Sequence, residues 1–123
     1  MEIDFDKMQG LVPAVIQDAD TAELLMLGFM NREALEATLR TGFVTFYSRT
    51  RQKLWTKGET SGNRLEVVAA WTDCDRDTVL WRVRVLGEGK VCHTGTRSCF
   101  TEKLPVGGGL RPAEPSVEEE AQP

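Results

Sequence analysis

Apolar positions along this chain fall into short runs separated by polar stretches, and one segment repeats with helical spacing. Leu11–Asp18 and Glu23–Met30 are apolar runs joined by Asp18-Ala19-Asp20-Thr21-Ala22, a stretch of the length that closes a β-hairpin. Two paired strands are predicted there. Asn31 then stands where a helix N-cap belongs, Ala34, Leu35, Thr38 and Leu39 recur at helical spacing, and Gly42 suits the C-terminal end, which predicts a helix over Arg32–Arg40. Phe43–Ser48 and Leu65–Ala70 are strand-like in composition. The polar connector Arg49–Asn63 between them is too long for a turn, and loops of that length in small domains are more often functional than idle. Val79, Trp81, Val83 and Val85 alternate with Leu80, Arg82, Arg84 and Leu86, the period of two that marks a strand, and Lys90–Cys92 suggests a last short one. The expected fold class is α+β, a mostly antiparallel β-sheet with one main helix.

Length and charge narrow this picture. A chain of 123 residues fits one small domain, which buries a modest fraction of its surface and gains from a partner subunit. Residues 1–104 carry the foldable pattern. Residues 105–123 hold four of the five prolines, three consecutive glycines and Glu118–Glu120, a composition that cannot bury a core, so a disordered tail is expected. The tail's one Arg against four Glu gives −3 of the net charge of −4, leaving −1 for the rest. A nearly neutral domain argues against a general nucleic-acid or membrane-surface role. The first residues are acidic where a signal peptide needs bases, and no stretch suits a bilayer span, so a cytoplasmic protein is expected. In a reducing compartment, three cysteines point to metal or thiolate chemistry rather than a disulfide framework.

The candidate chemistry lies in three segments. In Asp73-Cys74-Asp75-Arg76-Asp77 the carboxylates at alternate positions would share one side of an extended backbone, with Cys74 on the other. Oxygen ligands suit Mg²⁺ and a thiolate suits Zn²⁺. An EF-hand is rejected, because Thr78 stands where its glycine belongs and Arg84 where its glutamate belongs. An acidic turn without a metal is at least as common for this pattern. Cys92 and Cys99 flank a stretch containing the only histidine, His93. Three thiolates would leave a zinc position open for water, whereas the bland alternative makes the cysteines small buried hydrophobes. His93 is the side chain that titrates nearest neutrality, which makes it the candidate proton carrier. Arg49, Arg51, Lys53 and Lys57, with Gly58, Ser61 and Gly62 nearby, form a plausible phosphate cradle, though runs of charge are more often solvated faces. Trp55 could stack on a base or belong to the core.

Together, Ser48–Trp55, Trp55–Asn63, Asp73–Asp77 and Cys92-His93-Thr94-Gly95-Thr96-Arg97-Ser98-Cys99-Phe100 closely resemble the phosphoribosyl-AMP cyclohydrolase family, as do Val12–Asp18 and Met26–Asn31 upstream. The likeness spans about residues 11–100 and leaves out the N-terminal arm and the tail. It implies a cytosolic homodimer that opens the N1–C6 bond of the adenine ring of 1-(5-phosphoribosyl)-AMP with zinc-activated water, in histidine biosynthesis. On the same resemblance Asp73, Asp75 and Asp77 match magnesium ligands, and Cys74, Cys92 and Cys99 match zinc ligands, Cys74 coming from the opposite subunit. From the residues themselves, Arg49, Arg51, Lys53, Trp55, Lys57, Ser61, Asn63 and Arg97 are the expected substrate contacts and His93 the expected proton carrier. The family usually has Gln where this chain has Leu65. Without the pyrophosphohydrolase domain of some relatives, a monofunctional form is expected. The alternative from another class is a zinc-stabilised module that binds a nucleotide or short nucleic acid.

Overall fold

The computed structural model describes residues 1–110, so most of the expected disordered tail lies outside the described residues; Pro105–Leu110 are exposed and form neither helix nor strand. The first hairpin is as expected. β1 (Val12–Asp18) pairs antiparallel with β2 (Leu24–Met30), and Val12, Ala14 and Ile16 of β1 are fully buried on alternate positions.

The other neighbour of β1 departs from expectation. It is β6 (Val79–Val85), aligned parallel with Ala14 opposite Val79, and β6 in turn pairs antiparallel with β5 (Leu65–Thr72). The four-stranded sheet has the order β2-β1-β6-β5 and is mixed rather than purely antiparallel. Alternation fixes which side chains of β6 face inward but not the direction of the neighbouring strand, and the long connection between β1 and β6 permits either. The fold is α+β with one helix among the described residues.

That helix, α1 (Arg32–Thr41), has the predicted ends. Asn31 Oδ1 accepts from Ala34 N at 2.9 Å, and Gly42, at φ 81°, closes the C-terminus with its N–H on Thr38 O. Ala34, Leu35, Ala37 and Thr38 are buried, whereas Leu39 is exposed, so the buried stripe runs through Ala37 instead of Leu39. Thr38 Oγ1 donates to Ala34 O and accepts from Thr45 N, both at 2.9 Å, and thereby fastens α1 to the next strand.

The connector is not one continuous loop. β3 (Thr45–Ser48) turns through Gln52, at φ 54°, into β4 (Lys53–Thr56), with Phe46 opposite Trp55 and their ring centroids 5.2 Å apart. Polar side chains hid β4 because its surface is only half covered. Lys90–Cys92 forms no strand: Val91 is buried, but Cys92 N donates to Thr96 O and Gly95 N to Cys92 O, which commits the backbone to a local turn. Leu65 opens β5 and is wholly buried, which makes it a core residue. No helix among the described residues is long and apolar enough to cross a membrane.

Gly28 sets how closely β2 approaches β3. A Cβ there would stand 2.6 Å from two ring carbons of Phe46, which is itself 1% exposed. Gly28→Ala is expected to destabilise the protein by about 1–3 kcal/mol, the usual cost of overpacking, as measured by urea unfolding. Phe46→Leu in the same background should recover part of that loss; full additivity of the two changes would show that the close approach is not responsible.

Candidate active site

One corner of the sheet holds the thiols. Ser98 Oγ donates to Leu24 O and Cys99 N to Leu25 O, both at 2.8 Å, so the loop after Val91 is laid along the start of edge strand β2. Thr94 Oγ1 donates to Cys92 Sγ at 3.1 Å, and His93 Nδ1 lies 4.0 Å from that sulfur. The Thr94 hydroxyl and backbone hold the Cys92 thiol down at about 6, which leaves a thiolate at neutral pH. Desolvation, with the neighbouring Cys92, pushes Cys99 up to about 11.

The thiols open onto a cleft of about 520 Å³. Its walls are largely apolar and aromatic, from Met26, Leu27, Gly28, Phe29, Phe46, Tyr47 and Trp55, and its polar groups are Ser48, Arg49, Thr50, Lys57, Cys92, His93 and Cys99. Few polar groups converging in an apolar cleft is the usual character of a small-molecule site. The Arg49 guanidinium lies 5.9 Å from the Phe29 ring centroid and the Lys57 ammonium 6.0 Å from that of Trp55. Burial pushes the Lys57 ammonium down, against the opposing pull of Cys99 and Cys92. A second, polar cleft of about 390 Å³ adjoins it, sharing Ser48, Trp55 and Lys57 and adding Arg51, Lys53 and Ser61.

The acidic segment lies at the diagonally opposite corner, in the turn from β5 to β6. Its carboxylates are gathered by that turn and not by an extended strand: Asp73 Oδ1 accepts from Asp77 N at 3.1 Å and Thr78 N at 3.3 Å, and Arg76 takes φ 61°. Ligand atoms of Asp73, Asp75 and Asp77 lie within 4.8 Å of one another, a donor set of hard oxygens that fits Mg²⁺. The N-terminal arm reaches the same place. Asp4 N donates to Arg76 O, and Lys7 Nζ bridges Asp75 and Asp77 at 2.9 and 3.1 Å. The bridging ammonium holds the Asp75 carboxyl below its usual range. Asp77 rises despite Lys7, because Asp75, desolvation and Asp73 outweigh it.

Cys74 is exposed in this turn, while the loop of Cys92 and Cys99 rests on β2, three strand spacings away across the sheet, or roughly 14 Å. One chain thus presents two of the three thiols together. Two other residues named from sequence are engaged within the protein: Asn63 Oδ1 accepts from Glu88 N at 2.7 Å, and Arg97 pairs with Asp18 at 2.7 Å and Glu23 at 3.0 Å. Sequence reasoning missed Thr94, Lys7 and Asp18. Thr94 is adjacent to the only histidine and could have been suspected; Lys7 and Asp18 act across long separations and leave no local signal.

Residues 26–101 match the family described as Phosphoribosyl-AMP cyclohydrolase. The chain is 57% identical over 110 residues to the Phosphoribosyl-AMP cyclohydrolase of Desulfatibacillum aliphaticivorans, covering 89% of this chain and 86% of that one. It is 51% identical over 115 residues to the protein of the same name from Trichlorobacter lovleyi, covering 94% and 91%. It is also 60% identical over 103 residues to the Histidine biosynthesis bifunctional protein HisIE of Bacteroides thetaiotaomicron, covering 84% of this chain and 50% of that one. The chain therefore spans half the length of that bifunctional relative and most of the length of the other two.

Because the Thr94 hydroxyl is the largest cause of the low Cys92 pKa, Thr94→Val in metal-free protein should raise it from about 6 toward the ordinary 9.0. Alkylation rate against pH reads this directly. Reaction at neutral pH should slow, and recover as pH rises; an unmoved inflection would assign the low pKa to another group.

Proposed function

Because the chain belongs to the phosphoribosyl-AMP cyclohydrolase family, we propose that it hydrolyses the N1–C6 bond of the adenine ring of 1-(5-phosphoribosyl)-AMP in histidine biosynthesis, giving the phosphoribosyl-formimino-aminoimidazole carboxamide ribotide. One observation carries this reading: a single cleft joins a pair of cysteines, an imidazole and two cations against aromatic walls. Water adds across N1–C6, placing oxygen on C6 and hydrogen on N1, while the exocyclic nitrogen stays on C6 as the carboxamide.

His93, on the thiol side of the cleft, delivers the proton to the departing N1. Trp55 offers a face to the base. The substrate carries a phosphate on each ribose, and the two adjoining clefts offer cations for them, Arg49 in one, Arg51 and Lys53, with Ser61, in the other, and Lys57 between the two. Arg97 and Asn63 serve the site from within the protein, through the loops they hold.

Zinc suits the thiolates of Cys92 and Cys99 joined by Cys74, and supplies water activation near neutral pH. Mg²⁺ suits the oxygens of Asp73, Asp75 and Asp77. The separation of Cys74 from the other two thiols supports a homodimer in which each zinc site draws on both protomers, and the free thiols suit the reducing cytoplasm. Half-exposed Leu24 and Leu27 on edge strand β2, and Val68 and Trp71 on edge strand β5, favour such a partner at both corners.

The assay is the absorbance change on mixing metal-loaded protein with phosphoribosyl-AMP. Turnover is expected from the wild type and its loss, with zinc, from Cys92→Ala; no turnover by folded, metal-loaded wild type would defeat the proposed reaction. Cys74→Ala and Cys92→Ala should each be inactive alone. Mixed and allowed to exchange subunits, they should recover about a quarter of wild-type activity, since half the dimers are hybrids with one intact site in two. No recovery despite exchange would place all three ligands on one chain.

A further inference from the structure

Asp18 ends β1 and is 5% exposed, although it is a carboxylate at a hairpin turn. One oxygen, Oδ2, does everything the turn needs: it accepts from Asp20 N, Thr21 N and Thr21 Oγ1 at 3.0, 2.8 and 3.0 Å. An asparagine could do the same. The second oxygen, Oδ1, is kept for Arg97 Nη2 at 2.7 Å, and Arg97 Nε also reaches Glu23. A buried carboxylate is unfavourable unless its charge is met, and here the ion that meets it comes from the loop between Cys92 and Cys99. Ser98 and Cys99 then bond to Leu24 and Leu25, so three consecutive residues are docked on the first hairpin.

We propose that Asp18 is a positioning residue: through Arg97 it fixes the Cys92–Cys99 loop on the β1–β2 hairpin, and so sets the spacing of the two thiols for the metal they bind. This rests on the zinc reading above. An imidazole or thiolate ligand owes part of its affinity to the groups that orient it, and loss of such a group typically weakens metal binding by about 10–100-fold. A strut that served folding alone would lower the melting temperature without touching metal affinity in the folded protein.

The test is zinc affinity of the full chain, by competition with a chromophoric chelator, at a temperature where every variant is folded. Asp18→Asn keeps the turn contacts and removes the ion pair; it should weaken zinc binding by about 10–100-fold, with Asp18→Glu recovering part. Arg97→Gln should match it, and the double variant should be no worse than either single change. If Asp18→Asn fails to fold, Arg97→Gln decides, because the Arg97 side chain is 42% exposed where that of Asp18 is 7%. Unchanged zinc affinity in folded variants would overturn the inference alone, as would a raised KM for Arg97→Gln with zinc binding intact. A wild type whose thiols bind no zinc would overturn the zinc reading and this inference together.

Discussion

The parallel pairing of β1 with β6 is the constraint from which the layout of the site follows. β1 is hydrogen-bonded on both edges and buries every second side chain, so it cannot shift register without turning its apolar face outward. Its C-terminal end carries the hairpin on which the thiol loop rests. The start of β6, aligned with β1, places the β5–β6 turn and its carboxylates at the other end and beyond the far side. The two donor sets are thus separated by the same sheet that holds each in place.

Each donor set is poised by local hydrogen bonding before any metal is considered. At the thiol corner, Thr94 stabilises one thiolate while desolvation keeps the second protonated, so the pair avoids placing two negative charges side by side. At the acidic corner, three carboxylates gathered by one turn repel one another, and the Lys7 ammonium relieves that repulsion. Lys7 is itself half-exposed, so the contact is a screened surface pair that contributes little to stability. Its effect is electrostatic and local, a positive charge set against the gathered carboxylates.

Much of this was legible in the sequence, for identifiable reasons. The hairpin, the Asn31 cap, the Gly42 ending and the alternation of β6 are local patterns set by backbone chemistry, and they appear as read. The direction of β6 relative to β1 was not legible, because periodicity carries no information about a distant neighbour. β4 was missed since one half-covered hairpin strand in a polar stretch resembles a loop, and Lys90–Cys92 misled because the buried Val91 mimics a strand position. The cysteines and aspartates were found from residue type and spacing, but their geometry was not: the aspartates converge through a turn, and the thiols divide between corners.

That division bears on how the chain could work alone. The two cysteines of one chain would give a soft metal only two protein ligands, whereas a structural or catalytic zinc normally has at least three. Cys74 cannot complete the set within its own chain without breaking the sheet, since β6 and β1 stand between β5, which it follows, and β2. In the homodimer proposed above, a second copy related by a two-fold axis would offer its acidic turn to the first copy's thiol corner and receive the reverse, bringing Cys74 and its flanking aspartates to Cys92 and Cys99 in one operation. In that arrangement assembly would be a condition for the chemistry rather than a contribution to stability.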